Sequence, residues 1–197
     1  MINLGILDLR KKVVLALAIV ALAQTAVLAG MVVDRVRLLK TGREITLPIV
    51  PVDPRDLFKG EYVQLGYDAS NVPVRLLEGP APKRNEAFYV VLERKEGGAW
   101  QPVKIARTLP SETSPDRIAL KARTVWGWPT GTSNANAVSR VRYGIESYYV
   151  PQGKGPALET LAREKKLAAL VAVDSGGNAA IKALVVDGVV QYEEPLF

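Results

Sequence analysis

The stretch LAALVAVDSGGNAAIKALVVDGVVQY, residues 167–192, reads as an antiparallel meander. Residues 167–173 are apolar and of strand length, Ser175-Gly176-Gly177-Asn178 supplies a turn, and 180–186 supplies a second strand. Asp187-Gly188 then offers the two residues that tolerate positive φ in a type I′ hairpin, leading into 189–192. Working toward the N-terminus, Pro156 suits a first helical position. Leu158, Leu161, Ala162 and Lys165 follow at helical spacing, and Glu159 with Arg163 makes an i,i+4 pair. This is the one helix expected in the body of the chain. Before it, Val141, Tyr143 and Ile145 alternate with Arg140, Arg142 and Glu146, and Ile118, Leu120 and Ala122 alternate with Lys121 and Arg123. Gly97-Gly98 reads as a hairpin between AFYVVLER at 87–94, apolar on both faces, and a strand over 100–108 with Val103 and Ile105 inward. Residues 61–68 read as one strand carrying Val63, Leu65 and Tyr67 on a single face. At 43–50, Ile45, Leu47 and Ile49 share a face, and Pro48 argues for an edge. Short strands with regular turns predict a mainly β domain, barrel- or sandwich-like, rather than βαβ units.

The start of the chain has a different character. No charge falls between Val13 and Val33, a run of 21 residues that spans roughly 32 Å as a helix, against a hydrocarbon core of about 30 Å. Arg10, Lys11 and Lys12 precede it, and Asp34, Arg35, Arg37 and Lys40 follow. The flanks nearly balance, so orientation rests on a signal-anchor exporting the large domain. Val27-Leu28-Ala29 before Gly30 imitates a signal-peptide cleavage site, but the apolar run continues through Met31, Val32 and Val33, which favours an uncleaved anchor. The expected organisation is a short cytoplasmic N-terminus at 1–12, a transmembrane helix at 13–33 and a soluble extracytoplasmic β domain at 34–197. Gln24 and Thr25 are the polar interruptions of the span and are candidates for facing a partner helix.

Composition narrows the chemistry. The 197 residues include no Cys and no His, which removes disulfides, thiolate sites and the commonest general base at neutral pH. No cofactor and no metal site is expected: Asp68, Asp116, Asp174 and Asp187 are scattered without calcium-loop spacing. The net charge of +6 is spread without the clustering a nucleic-acid footprint needs. Paired carboxylates roughly 5–10 Å apart would suit a glycosidase, but no pair stands in a distinctive context. No serine lies in an SxxK arrangement. Gly153-Lys154-Gly155 before a helix offers a place for an anion but more often is a plain turn.

The segment Asp53-Pro54-Arg55-Asp56-Leu57-Phe58-Lys59-Gly60-Glu61-Tyr62-Val63-Gln64-Leu65-Gly66-Tyr67 resembles the GDYXXLXY family of bacterial membrane-anchored proteins. Gly60, Glu61, Tyr62, Leu65 and Tyr67 carry the likeness, with Glu61 where the motif has Asp. The stretch from Tyr143 to Gly155 is similar to the family as well, with Gln152 where the family often has Glu. The resemblance covers most of 43–190. It implies an anchor, export and a multi-span membrane partner, and it implies no reaction. Around the motif, Gly60 can close a turn and Tyr67 can fill the core, while Asp53, Arg55, Asp56 and Glu61 beside Tyr62 form a candidate charged interaction surface. Trp126 and Trp128, with Tyr148 and Tyr149, form a second candidate surface of exposed aromatics, the alternative being packing under a loop. Arg140 and Arg142 share a strand face, solvated or turned to an acidic partner or lipid headgroups.

The function expected is a non-enzymatic accessory subunit of the bacterial inner membrane, single-pass, presenting its β domain to the periplasm and docking on a larger membrane protein. The alternatives are a tethered envelope sensor or ligand-binding module and, more remotely, a hydrolase independent of His and Cys.

Overall fold

The computed structural model describes residues 3–50, 62–111, 114–126, 128, 137–150 and 155–193. The chain divides into two units, Met1–Arg37 and Leu38–Phe197. Helix α1 runs unbroken over Asn3–Thr41. It is longer at both ends than the 13–33 span expected, because the flanking Arg, Lys and Leu residues are good helix formers. Its 39 residues extend roughly 58 Å. Among the described residues one helical stretch, Lys11–Thr41, is long and apolar enough to cross a membrane, and its most apolar window buries nothing within the fold. Apolar side chains lie all round it, as suits a lipid-facing helix.

The last turn of α1 belongs to the second unit, which begins at Leu38. Leu38 and Leu39 are buried with Ala180 in a small core of their own. Gly42 ends the helix, its N–H donating to the Leu38 carbonyl at 2.9 Å. A Cβ on Gly42 would stand 2.5 Å from the Leu38 oxygen and 3.0 Å from the Val173 nitrogen. The backbones therefore meet here only because residue 42 has no side chain.

The second unit contains β1 (Arg43–Val50), β2 (Tyr62–Gln64), β3 (Gly66–Tyr67), β4 (Asn71–Pro73), β5 (Ala87–Arg94), β6 (Trp100–Ala106), β7 (Arg117–Thr124), β8 (Val138–Arg142), β9 (Ser147–Tyr149), α2 (Gly155–Arg163), β10 (Leu167–Val173), β11 (Ala179–Val186) and β12 (Val189–Glu193). It is mainly β, and the described sheets are open rather than closed into a barrel. One five-stranded sheet has the order β12-β11-β10-β1-β3, the other β4-β8-β7-β5-β6, and β2 pairs with β9. Their apolar faces meet in one core that includes Leu47, Leu65, Phe88, Leu92, Leu120, Leu158 and Leu184. Arg43 ties β1 to the other sheet: its guanidinium donates to the Ser114 and Arg117 carbonyls at 2.8 Å each and lies 5.5 Å from the centre of the Trp100 ring.

Three details depart from the sequence reading. The segment 61–68 does not form one strand: Tyr62–Gln64 pairs with β9, whereas Gly66 and Tyr67 pair with Val50 and Ile49 of β1. Val103 is only half-buried, because the β5–β6 register steps from Val91↔Lys104 to Leu92↔Pro102 and leaves Val103 as the extra residue of a bulge. Helix α2 stops at Arg163, short of Lys165, which adopts a left-handed φ of 59°. There the Lys166 N–H reaches back to Leu161 and the Lys165 N–H to Ala162, the paired bonds of a Schellman ending. The Asp187-Gly188 turn does take positive φ at both residues, 48° and 84°.

Substituting Gly42→Ala in the full chain is expected to cost about 1–3 kcal/mol of domain stability, the usual range for forcing atoms into occupied space. Gly30→Ala, where a Cβ meets nothing within 4 Å, is expected to cost nothing measurable. Urea unfolding in mild detergent, followed by tryptophan fluorescence, checks the pair.

Candidate functional site

The second half of the GDYXXLXY-like segment works by packing. Leu65 and Tyr67 are buried to within 2 % of full coverage. The Tyr67 hydroxyl donates to the Ile145 carbonyl at 2.8 Å, and the Tyr143 hydroxyl donates to the Ala69 carbonyl at 2.5 Å. Each segment thus sends a tyrosine into the other and offers a carbonyl two residues further on. The Leu65 N–H adds a bond to the Glu146 carbonyl at 2.9 Å. The Glu146 carboxylate in turn accepts the Tyr143 and Gly144 N–H groups at 2.6 and 3.1 Å, closing the turn that holds Tyr143 in place. Burial, with the nearby Glu146 charge adding to it, pushes both phenols well above their ordinary pKa of 10.0.

Other residues predicted from sequence fare differently. Asp53, Arg55, Asp56 and Glu61 lie outside the described residues, and of Tyr62 the structure describes the backbone, paired with Tyr149. Trp126 is 87 % exposed and Tyr149 81 % exposed, as a surface of aromatics requires. Trp128 and Tyr148 are not part of that surface: both are buried, and Trp128 packs edge-on against Phe88 with ring centres 5.9 Å apart. A core gap beside Phe88, which local sequence cannot reveal, takes the indole. Gln24 and Thr25 are exposed positions of α1, but the Thr25 hydroxyl is already spent on the Ala21 carbonyl of its own helix at 2.9 Å.

The structure also assembles a feature that sequence reading left in pieces. A groove of about 900 Å³ runs over the outer face of β7 and β8. Lys121 and Arg123 point out from β7, and Arg142 points out from β8, each exposed beside inward-facing neighbours. Antiparallel pairing sets Arg123 directly opposite Arg142. Arg84 joins the lining from the 83–86 turn, which is held by the Glu86 carboxylate accepting the Lys83 N–H at 2.7 Å and by an ion pair of Glu86 with Arg107. On another side stands the β10–β11 turn, fixed to β7 by the Lys121 N–H donating to the Gly177 carbonyl at 2.8 Å. Gly177 has φ +79°, and a Cβ there would meet the Ala119 carbonyl at 3.0 Å and Tyr89 at 3.2 Å. Outward-facing basic residues on two alternating strands were legible beforehand. That β7 and β8 pair with Arg123 against Arg142 is a non-local fact.

Compared with known proteins, the chain matches the family model described as GDYXXLXY protein over residues 24–184. The chain belongs to the GDYXXLXY family. The match takes in the later half of α1 and the β domain almost to the end of β11, so the family describes helix and domain together. No curated protein and no solved structure matches the chain. Within this GDYXXLXY protein, the LXY portion of the motif is the half of a tyrosine clasp whose other half is the Tyr143–Glu146 turn.

The clasp predicts an alkaline limit. Below pH 10 both phenols are neutral folded or unfolded, and their burial adds no pH dependence. Above 10 the unfolded chain ionises them while the folded chain cannot, so stability falls by about 1.4 kcal/mol per pH unit for each tyrosine. Tyr67→Phe is expected to cost about 1–2 kcal/mol at neutral pH by stranding the Ile145 carbonyl, and to halve the part of the alkaline slope that the clasp supplies. Urea titrations between pH 8 and pH 11 check both expectations.

Proposed function

We propose that this protein is a membrane-tethered, non-enzymatic accessory subunit. Its α1 helix crosses the bacterial inner membrane once, the N-terminus stays in the cytoplasm, and the β domain faces the periplasm and docks on a larger membrane protein. The observation that carries the reading is α1 itself: a long apolar helix, apolar on every side, passes without a break into the first turn of chain that packs on the β domain. Such a helix needs lipid or protein around it, and a helix so directly joined to its domain suits an anchor better than a removable leader. Docking is supported by the exposed Trp126 and Tyr149, since large aromatics held at a surface are the usual anchors of protein interfaces. The charged segment with Asp53, Arg55, Asp56 and Glu61 is a further part of the docking surface in this reading. The absence of His and Cys from the sequence removes the commonest catalytic groups and is in keeping with a subunit that carries no reaction.

Purification of the tagged protein from native membranes in mild detergent, with mass spectrometry of whatever co-elutes, tests this. The expected result is a stoichiometric multi-span membrane protein together with an intact N-terminus on this chain. Trp126→Ser with Tyr149→Ser should weaken that association at least about tenfold, the range of interface hot spots. A lone protein beginning at Gly30 would overturn both anchor and docking.

A further inference from the structure

We propose that the groove over β7 and β8 is a binding site for a phosphorylated ligand, with Arg123 and Arg142 as its central pair. This goes beyond the docking reading and stands independently of it. Two like charges placed opposite each other across antiparallel strands repel, with Cβ atoms only about 5 Å apart, and a sheet normally avoids or neutralises such a pair. Here no ion pair offsets the repulsion. Among the described residues no carboxylate lies within ion-pair distance of Arg84, Lys121, Arg123 or Arg142. Glu146 is a carboxylate of the lining and Asp174 stands in the bordering turn, and neither forms an ion pair with these cations. Glu146 is held in place by the Tyr143 and Gly144 N–H groups, which it accepts one on each oxygen. Asp174, at the foot of the bordering turn, accepts from the Gly176 and Asn178 N–H groups at 2.8 Å each and from the Asn178 side chain at 2.9 Å.

The concavity is also built rather than incidental. The β10–β11 turn is held against β7 by a backbone hydrogen bond at a glycine that admits no side chain, and Asn178 extends from that turn into the lining. The volume is that of a small-molecule site. Arginine forks match the oxygens of a tetrahedral oxyanion, and Lys121 adds a compact charge beside them. Four cations against one carboxylate leave the lining strongly positive and call for a ligand with at least two negative charges. A phosphomonoester or diphosphate group meets that demand, whether on a soluble compound or on a lipid headgroup.

The test uses the full chain in neutral detergent at low salt. Pyrophosphate titrated by calorimetry and thermal shift is the soluble probe; nanodiscs of phosphatidylcholine, with and without a phosphomonoester lipid such as phosphatidic acid, are the lipid probe. The expected result is saturable binding of one probe with a rise in Tm that shrinks as salt is raised. Arg123→Gln and Arg142→Gln should each weaken binding at least tenfold, while their ligand-free Tm is no lower than that of the parent, because the repulsion is relieved. Arg140→Gln, on the same strand face but outside the groove, should bind as the parent does. A response to pyrophosphate assigns the site to soluble phosphate compounds; a response to the lipid alone assigns it to a headgroup. Binding of neither probe, or binding that survives both arginine substitutions, would overturn the proposal.

Discussion

Two buried hydroxyls hold the β domain in its shape. Tyr67 and Tyr143 each reach across to a carbonyl on the other's segment, and neither bond can be traded for water once the core closes. The segment carrying Tyr67 connects β2, paired with β9, to β3, paired with β1. The segment carrying Tyr143 continues β8 of the second large sheet into β9. The clasp therefore stands where strands from different sheets must change partners without leaving polar backbone stranded in the core. Leu65 and Tyr67 of the family motif are explained by this crossing, with no ligand needed to account for them.

The clasp also has a consequence at the surface. It fixes Glu146, a carboxylate of the neighbouring groove, in the turn that seats Tyr143, and among the described residues no ion pair joins it to the arginines. Arg84, Lys121, Arg123 and Arg142 outnumber that carboxylate and leave the outer face of β7 and β8 positive. In the same way, the tight fit of Gly177 against β7 raises a wall of the groove. Fold and groove share their supports, so weakening one is expected to loosen the other.

Much of the architecture was legible because alternation is a local signal. The Ile45, Leu47, Ile49 face and the apolar run 87–94 coincide with strands of the same extent, as does the meander from Leu167. What escaped depends on contacts distant in sequence. Asn71–Pro73 is too short to announce itself as a strand and exists through its pairing with β8. Gly66 breaks an apparent single strand because the two halves find different neighbours. The Val103 bulge shifts register within an otherwise regular alternation. Trp128 is drawn inward by Phe88, leaving Trp126 as the exposed tryptophan of the pair. Of the candidate site residues, those of the docking surface were chosen by residue type alone, whereas the cationic groove required knowing that Arg123 faces Arg142.

The topology proposed above, with α1 in a membrane and the β domain outside the cytoplasm, can be tested directly. The natural sequence has no cysteine, so a single introduced thiol is an unambiguous reporter. One variant carries Ser175→Cys in the exposed β10–β11 turn, the other Asn3→Cys at the start of α1. Each is treated in intact spheroplasts with a membrane-impermeant maleimide. Residue 175 is expected to label in intact spheroplasts and residue 3 only after permeabilisation. Labelling of residue 3 but not residue 175 in intact cells, or of neither until lysis, would contradict that topology.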